Sequence, residues 1–279
     1  MNKTEFKQFF EPYAKNVDKA DSQYFWKLSD HIIQEIIKQN IPATSNPNQV
    51  ILDAGGGTGR WIIKLSKIFD HQFVLYDLSE DMLFKARKNI KEARIENKVK
   101  IIQGDLIDMS QISDESVDHV VSIYSPISFV EKRKKMVREI HRILKKGGRL
   151  IIMGHSYHNA IASKINNYAA LAEELKKLDV DYLVKWAPYV PELHVFSRES
   201  MESLLKKANF RLIKSYGVPI FAQPGIEDFD PSNNKKSLIS KTLEEKPEFF
   251  ESVFKLEMKY NSVQELVNRG VNIFTVVEK

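Results

Sequence analysis

Apolar residues recur along this chain in two alternating rhythms. Short, mostly β-branched runs (Val50-Ile51-Leu52, Phe73-Val74-Leu75-Tyr76, Val99-Lys100-Ile101-Ile102, Val117 to Ile123 and Arg149 to Met153) are separated by stretches with three- and four-residue spacing. Those stretches run from about Gly59 to Lys67, Glu80 to Lys91 and Lys132 to Leu144. Short buried runs alternating with amphipathic helices predict parallel βαβ units with right-handed crossovers, an α/β architecture. Ser79 is placed to cap the second helix, with Met82 and Leu83 opening its buried face. Lys145-Lys146-Gly147-Gly148 reads as the end of the third helix, with cations in its last turn and a glycine beyond it. Phe210 to Tyr216 and Val271 to Val277 supply two further strands, with Ser197 capping a helix to about Ala208 before the first of them.

Proline marks the limits of this scaffold. Between Asn48 and Ala187 the only proline is Pro126, so the central region carries the regular elements. Three segments lie outside it. Residues 1–47 read as two helices with aromatics on one side (Phe6, Phe9, Phe10, Tyr13, then Tyr24, Phe25, Trp26). Residues 155–196 open as a long helical pattern and finish in Trp186-Ala187-Pro188-Tyr189-Val190-Pro191. Residues 219–270 open as a turn-rich loop through Pro231-Ser232-Asn233-Asn234 and become helical again. The expected division is therefore 1–47 lid, 48–154 core, 155–196 cap insertion, 197–218 core continuation, 219–270 second cap insertion and 271–279 final strand, all in one structural domain.

Composition narrows the chemistry. The 279 residues include 42 Lys plus Arg against 37 Asp plus Glu, a net charge of +5, and 43% hydrophobic residues, the balance of a globular chain with a core of its own. Cysteine is absent, which excludes disulfides, thiolate metal sites and thiolate nucleophiles. The opening Met1-Asn2-Lys3-Thr4-Glu5 has no apolar signal segment, and no apolar run reaches about 18 residues, so a cytoplasmic location without a membrane span is expected. The densest cationic cluster, Lys132-Arg133-Lys134-Lys135, reads as a solvated helix face, with a polyanion contact as its alternative.

Four of the 11 glycines fall in Asp53-Ala54-Gly55-Gly56-Gly57-Thr58-Gly59, directly between a strand and a helix. Glycine tolerates the positive φ of so tight a turn and lets backbone approach a ligand where a side chain would block it. The third glycine of G-x-G-x-x-G is missing, since Arg60 stands there, and the phosphate-loop pattern G-x-x-x-x-G-K-(S/T) fails as well. What stands is Asp53-x-Gly55-x-Gly57-x-Gly59 with Asp77 ending the next strand. This pattern resembles that of the class I S-adenosylmethionine-dependent methyltransferases, small-molecule type, similar to the quinone-biosynthesis enzymes. The resemblance continues through Gly104-Asp105-Leu106, Asp118 to Ser122, Ile143 to Leu150 and Phe196 to Phe210, with Asn209 in place of a more usual glycine. It implies a Rossmann-like doubly wound sheet, mostly parallel with an antiparallel C-terminal strand, carrying helical lid insertions. It implies S-adenosyl-L-methionine as cofactor, bound at Asp53, Gly55, Gly57, Gly59, Asp77, Leu78, Asp105, Leu106 and Ser122. Asp77 holds the ribose hydroxyls, and the Asp105-Leu106 step takes the adenine. Asp53 orients the backbone of the glycine turn.

Methyl transfer needs the acceptor placed about 3 Å behind the methyl carbon, and a base only where the acceptor is a hydroxyl. Such ligands sit at strand C-termini, which makes His155 the leading candidate base and Tyr124 the second. A His155/His158 metal pair lacks a carboxylate at useful spacing, so no metal is expected. Amino-methylating relatives carry (D/N/S)-P-P-(Y/F/W) after the fourth strand, whereas this chain reads Ser122-Ile123-Tyr124-Ser125-Pro126-Ile127, which argues against base stacking there. Tyr13, Tyr157, His158, Trp186 and His194 are the expected acceptor contacts, in an aromatic enclosure built jointly by the three outer segments. The expected function is methyl transfer to a small molecule at O, N or activated carbon, by a monomer or homodimer. RNA or protein methylation on a basic surface is the alternative, and a noncatalytic binding module is a third reading that the intact Gly55, Gly57, Gly59 and Asp77 oppose.

Overall fold

The computed structural model describes residues 9–10, 14, 22–42, 46, 48–187, 190–229 and 235–279. Its centre is a seven-stranded sheet in the order β3-β2-β1-β4-β5-β9-β8. The strands are β1 (Val50–Ala54), β2 (Gln72–Asp77), β3 (Val99–Gln103), β4 (Val117–Ser122), β5 (Leu144–His155), β8 (Arg211–Val218) and β9 (Asn272–Glu278). The first five are mutually parallel, and β9 runs antiparallel between β5 and β8. Strand order reverses beside β1, where β2 lies on one side and β4 on the other, and a ligand crevice opens outside the carboxyl ends of strands at such a reversal.

Helices α1 (Tyr24–Asn40), α2 (Arg60–Leu65), α3 (Glu80–Glu92), α4 (Pro126–Phe129) and α5 (Arg133–Ile143) follow in chain order. Two expected caps are present: Ser79 Oγ accepts from the Met82 amide at 3.3 Å, and Ser197 Oγ accepts from the Ser200 amide at 3.2 Å at the start of α8 (Arg198–Lys206). The Lys145–Gly148 reading is corrected. Helix α5 ends at Ile143, and the cationic step already belongs to β5. The chain's last residues hold it there, since Gly147 N donates to Lys279 O at 2.9 Å and Lys279 N to Gly148 O at 3.0 Å. Lys145 Nζ bonds both oxygens of Asp118 at 2.9 Å.

The outer segments divide differently from the expectation. Helix α1 buries Phe25, Leu28, Ile32, Ile33, Ile36 and Ile37 completely, the stripe that a 3.6-residue period puts on one face. It packs on β8, α9 (Leu238–Glu245) and α10 (Pro247–Tyr260), so this part of the 1–47 segment completes one side of the core as well as reaching the crevice with its first turns. Residues 155–196 do not continue as one helix. They form α6 (Tyr157–Asn166), α7 (Ala172–Asp181) and a hairpin of β6 (Leu183–Val184) and β7 (Leu193–His194), with their own apolar cluster of Ala160, Leu178, Val184, Leu193 and Val195. Buried Glu257 on α10 accepts from the amides of Ile220, Phe221 and Ala222 at 2.7–2.8 Å, fixing the chain as it leaves β8. Among the described residues no helix is long and apolar enough to cross a membrane.

Candidate functional site

The turn after β1 puts Gly55, Gly57 and Gly59 at φ +80°, +52° and +76°, a region that costs an L-residue about 1–2 kcal/mol. Gly56 is there for space instead: a Cβ on it would stand 2.7 Å from Asp53 Oδ2. The turn is tied to β2, because Gly55 N donates to Tyr76 O at 2.8 Å and Gly57 N donates to Asp77 Oδ2 at 2.9 Å. Asp77 Oδ1 accepts from Ser79 N at 2.8 Å. Burial raises the Asp77 carboxyl against these bonds, yet each oxygen keeps a lone pair for a further donor.

Asp53 does not perform the backbone-orienting part expected of it, which falls to Asp77. Its Oδ2 is buried without a hydrogen-bond partner, and burial, with Asp77's charge beside it, pushes the carboxyl up to about 8. Along the crevice, Asp105 Oδ1 accepts from Ile107 N at 3.2 Å, and the Leu106 amide donates to no acceptor among the described residues. The Leu78 carbonyl accepts from Gln103 Nε2 at 3.2 Å. Ser122 is fully buried and its hydroxyl donates to Ala54 O at 2.9 Å, so that donor is used within the protein.

Past β4 the chain makes a tight left-handed step, with Tyr124 at φ +60° and Ser125 at φ +67°. Such strain persists where surrounding contacts over-determine it. Tyr124 N donates to Met153 Sδ at 3.3 Å, Ser125 Oγ to Asn272 Oδ1 at 3.3 Å, and the Tyr124 hydroxyl to Asp30 Oδ1 on α1. Asp30 also pairs with Arg60 and, at 3.3 Å, with Lys64 Nζ. Burial and Asp30's charge hold the Tyr124 phenol well above its ordinary value, so Tyr124 lines the crevice but cannot serve as the proton acceptor expected of it. Pro126 then packs so close to Gly55 that a Cβ there would lie 2.7 Å away.

His155 ends β5. Its amide donates to Ser128 Oγ at 3.1 Å and its carbonyl accepts from Phe196 N at 2.7 Å, while its ring has no partner among the described residues. Burial lowers its pKa to about 4, leaving a neutral imidazole at pH 7. A base that weak accepts a hydrogen bond readily but holds a transferred proton poorly. The aromatics form two groups. Trp26 and Trp61 meet Tyr124 at ring separations of 5.7 and 6.1 Å, and Phe229 meets Trp26 at 5.5 Å. Trp26 Nε1 donates to Asp228 O at 2.5 Å. The second group joins Tyr157 to Tyr182 at 4.9 Å and His194 to Phe196 at 4.7 Å. Tyr157 donates its hydroxyl to Asp179, His158 is exposed, and Trp186 packs on Tyr168 at 5.6 Å. The single enclosure expected from all three segments is thus two neighbouring groups, because α6, α7 and the hairpin pack chiefly on one another. Tyr13 and Tyr189 lie outside the described residues. Sequence reasoning missed Asp30, Arg60 and Ser128; Arg60's place in the failing glycine pattern was the one available signal.

Residues 51–148 match the family described as "Methyltransferase domain". The chain is 26% identical over 197 residues to the ubiquinone/menaquinone biosynthesis C-methyltransferase UbiE of Vibrio parahaemolyticus, spanning 62% of this chain and 69% of that protein. The core is a class I S-adenosylmethionine-dependent methyltransferase. A second relative of this methyltransferase is the tRNA 5-carboxymethoxyuridine methyltransferase of Escherichia coli, 22% identical over 229 residues, 77% of this chain and 82% of that protein. The fold is shared with the geranyl diphosphate C-methyltransferase of Streptomyces coelicolor, solved with Mg2+, geranyl diphosphate and S-adenosyl-L-homocysteine (TM-score 0.54, 13% identity, 88% and 77% of the two chains). The cofactor of this methyltransferase is S-adenosylmethionine, and the crevice fits it. The turn is open at Gly57, where a Cβ would meet no atom nearer than Met82 Sδ at 3.9 Å, Asp53 carries an unpartnered buried oxygen, and the Leu106 amide is unclaimed among the described residues.

Proposed function

We propose that the enzyme methylates a small acceptor enclosed between the post-β4 turn, the end of β5 and the outer segments. The observation that carries this reading is convergence on one short stretch, residues 124–129. Trp26 from α1 and, through it, Phe229 reach Tyr124, Phe10 stacks edge-on against Phe129 at 5.2 Å, and the β6–β7 hairpin packs on α4. Ala14 O accepts from Lys85 Nζ on α3 at 3.0 Å, so described parts of the N-terminal segment touch elements following β2 and following β4, on either side of β1. A crevice covered from three directions suits a metabolite better than a polynucleotide, which needs an open basic strip.

Bound S-adenosylmethionine supplies a methyl group on a positively charged sulfur, open to in-line attack. In this reading Asp77 accepts the ribose hydroxyls, for which a buried carboxylate with spare lone pairs is suited. The Leu106 amide and the free oxygen of Asp105 hold the adenine edge, and Gly55, Gly57 and Gly59 let backbone line the amino-acid tail. Neutral His155 accepts a hydrogen bond from the acceptor and orients it, while Tyr124, held by Asp30, forms the wall opposite. The test offers purified enzyme and methyl-labelled S-adenosylmethionine in parallel to a metabolite extract, tRNA and cell protein. Label in the metabolite fraction supports a small acceptor, and label in tRNA alone would move the enzyme to the class of its E. coli relative.

A further inference from the structure

The run Lys132-Arg133-Lys134-Lys135 divides in the fold. Lys132, Lys134 and Lys135 are exposed, whereas Arg133 is half-buried. Arg133 Nη1 donates to the Val130 carbonyl at 3.1 Å, and no carboxylate among the described residues pairs with it. The acidic charge acting on it is that of exposed Glu131, and burial outweighs that attraction, pulling the guanidinium below its ordinary pKa. Partial burial of an unpaired cation is unfavourable. So is its place in the first turn of α5, which holds no acidic residue to answer the helix dipole. Arg133's one bond among the described residues, to the Val130 carbonyl, uses a single guanidinium donor and leaves the positive charge unanswered.

Its surroundings supply a reason. Helix α4 packs on β7, the strand that ends at His194, and Arg133 is tied to Val130 at the end of that helix; burial, and after it Arg133's positive charge, lowers the His194 imidazole to about 4, so it is neutral. His194 Nδ1 is buried with no partner, and its ring stands edge-on to Phe196 at 4.7 Å. Phe196 is bonded to His155 through the backbone, and His155 to Ser128, one residue before Phe129. Phe129 carries Phe10 and Phe9 at 5.2 and 6.3 Å. One end of α4 thus meets the glycine turn at Pro126, and the other leads to an unpaired cation and an unsatisfied imidazole nitrogen. That single turn is about 6 Å long, a span that one aromatic ring bridges.

We propose that Arg133 and His194 bind an anionic oxygen group of the methyl acceptor, a carboxylate or a phosphate, while the acceptor's apolar part lies on Phe129 and Phe10. Arg133 provides forked donors matched to such a group, and His194 adds a donor in the tautomer with its proton on Nδ1. The proposal rests on the methyltransferase reading of the crevice and narrows its acceptor to anionic small molecules.

The test is calorimetric and needs no turnover. S-adenosylhomocysteine is titrated first into wild type, R133Q, R133K and H194N. With it saturating, benzoate, phenyl phosphate and neutral benzyl alcohol are titrated as probes. An anionic probe is expected to bind wild type at least about tenfold tighter than benzyl alcohol. R133Q removes that preference, R133K keeps part of it, H194N weakens it, and S-adenosylhomocysteine affinity stays the same in all four. The stronger of the two anionic probes distinguishes carboxylate from phosphate. Equal binding of charged and neutral probes, no binding of either anion, or a preference that survives in R133Q overturns the proposal. Wild type that fails to bind S-adenosylhomocysteine overturns the cofactor reading beneath it, a result readable separately from the probe titrations.

Discussion

The two halves of the crevice are built on opposite plans. On the β1–β2 side, the ligand groups are backbone amides, glycines without side chains and two buried carboxylates, Asp53 and Asp77, all within one strand-turn-helix and the strand beside it. On the β4–β5 side they are side chains from remote places: Asp30 meets Tyr124 across 94 positions, Ser125 meets Asn272 across 147, and Trp26 meets the Asp228 carbonyl across 202. The first half is fixed by local conformation and serves a ligand that never varies. The second is assembled by packing, so it can be rebuilt for a different acceptor without disturbing the first. Electrostatics differ as well: the β1–β2 side holds two acids raised by burial, Asp53 and Asp77, and the β4–β5 side holds the Asp30–Tyr124–Arg60 cluster, a neutral imidazole at His155 and an unpaired arginine at Arg133.

The largest single effect belongs to Asp77→Ala. It removes the acceptor of the Gly57 and Ser79 amides together with the proposed ribose ligand. With hydrogen bonds to a charged group contributing about 1.5–3 kcal/mol each, S-adenosylhomocysteine affinity should fall at least about 100-fold by calorimetry; unchanged affinity would remove the ribose role. Next comes a paired test of space against backbone strain. Gly56→Ala drives a methyl group into Asp53 and should weaken cofactor binding about tenfold while lowering the melting temperature. Gly147 is at φ +75° with open space around it. Gly147→Ala should therefore cost only about 1–2 kcal/mol of stability, with cofactor affinity intact. Equal cofactor loss in both would erase the distinction.

Smaller effects belong to the other half. Tyr124→Phe leaves Asp30 paired with Arg60 and Lys64 but frees the left-handed step after β4. Turnover should fall several-fold and cofactor affinity should stay constant, and a cofactor defect as large as the turnover defect would show that the two halves are coupled. The smallest effect is a pH slope. Asp53 is raised to about 8 from 3.8, so between those values the folded protein holds a proton that the unfolded chain has lost, and stability falls as pH rises. Asp53→Asn cannot ionise. Its melting temperature relative to wild type should therefore climb between pH 5 and pH 8, and a parallel offset at every pH would show that Asp53 does not titrate in that window.

What could be read from sequence follows the same contrast. The five parallel strands, the glycine turn and the Ser79 and Ser197 caps depend on neighbours a few residues away, and each stands where periodicity and turn chemistry put it. The Lys145–Gly148 step reads locally as a helix end, because the residues that hold it in β5 lie at the far end of the chain. Helix α1 was expected as a lid, since nothing local distinguishes an apolar face that covers a ligand from one that covers β8. Asp30 and Arg133 carried no signal of their own. A buried acid on a helix and one arginine within a basic run become informative only when their partners, or the lack of them, are visible.

The most direct measurement is a crystal structure of the enzyme soaked with S-adenosylhomocysteine. The account predicts a nucleoside across the ends of β1 and β2, both ribose hydroxyls on Asp77, the adenine edge at Asp105 and Leu106, and the sulfur turned toward the Tyr124–Phe129 stretch. A nucleoside bound elsewhere, or a ribose that leaves Asp77 untouched, would contradict it.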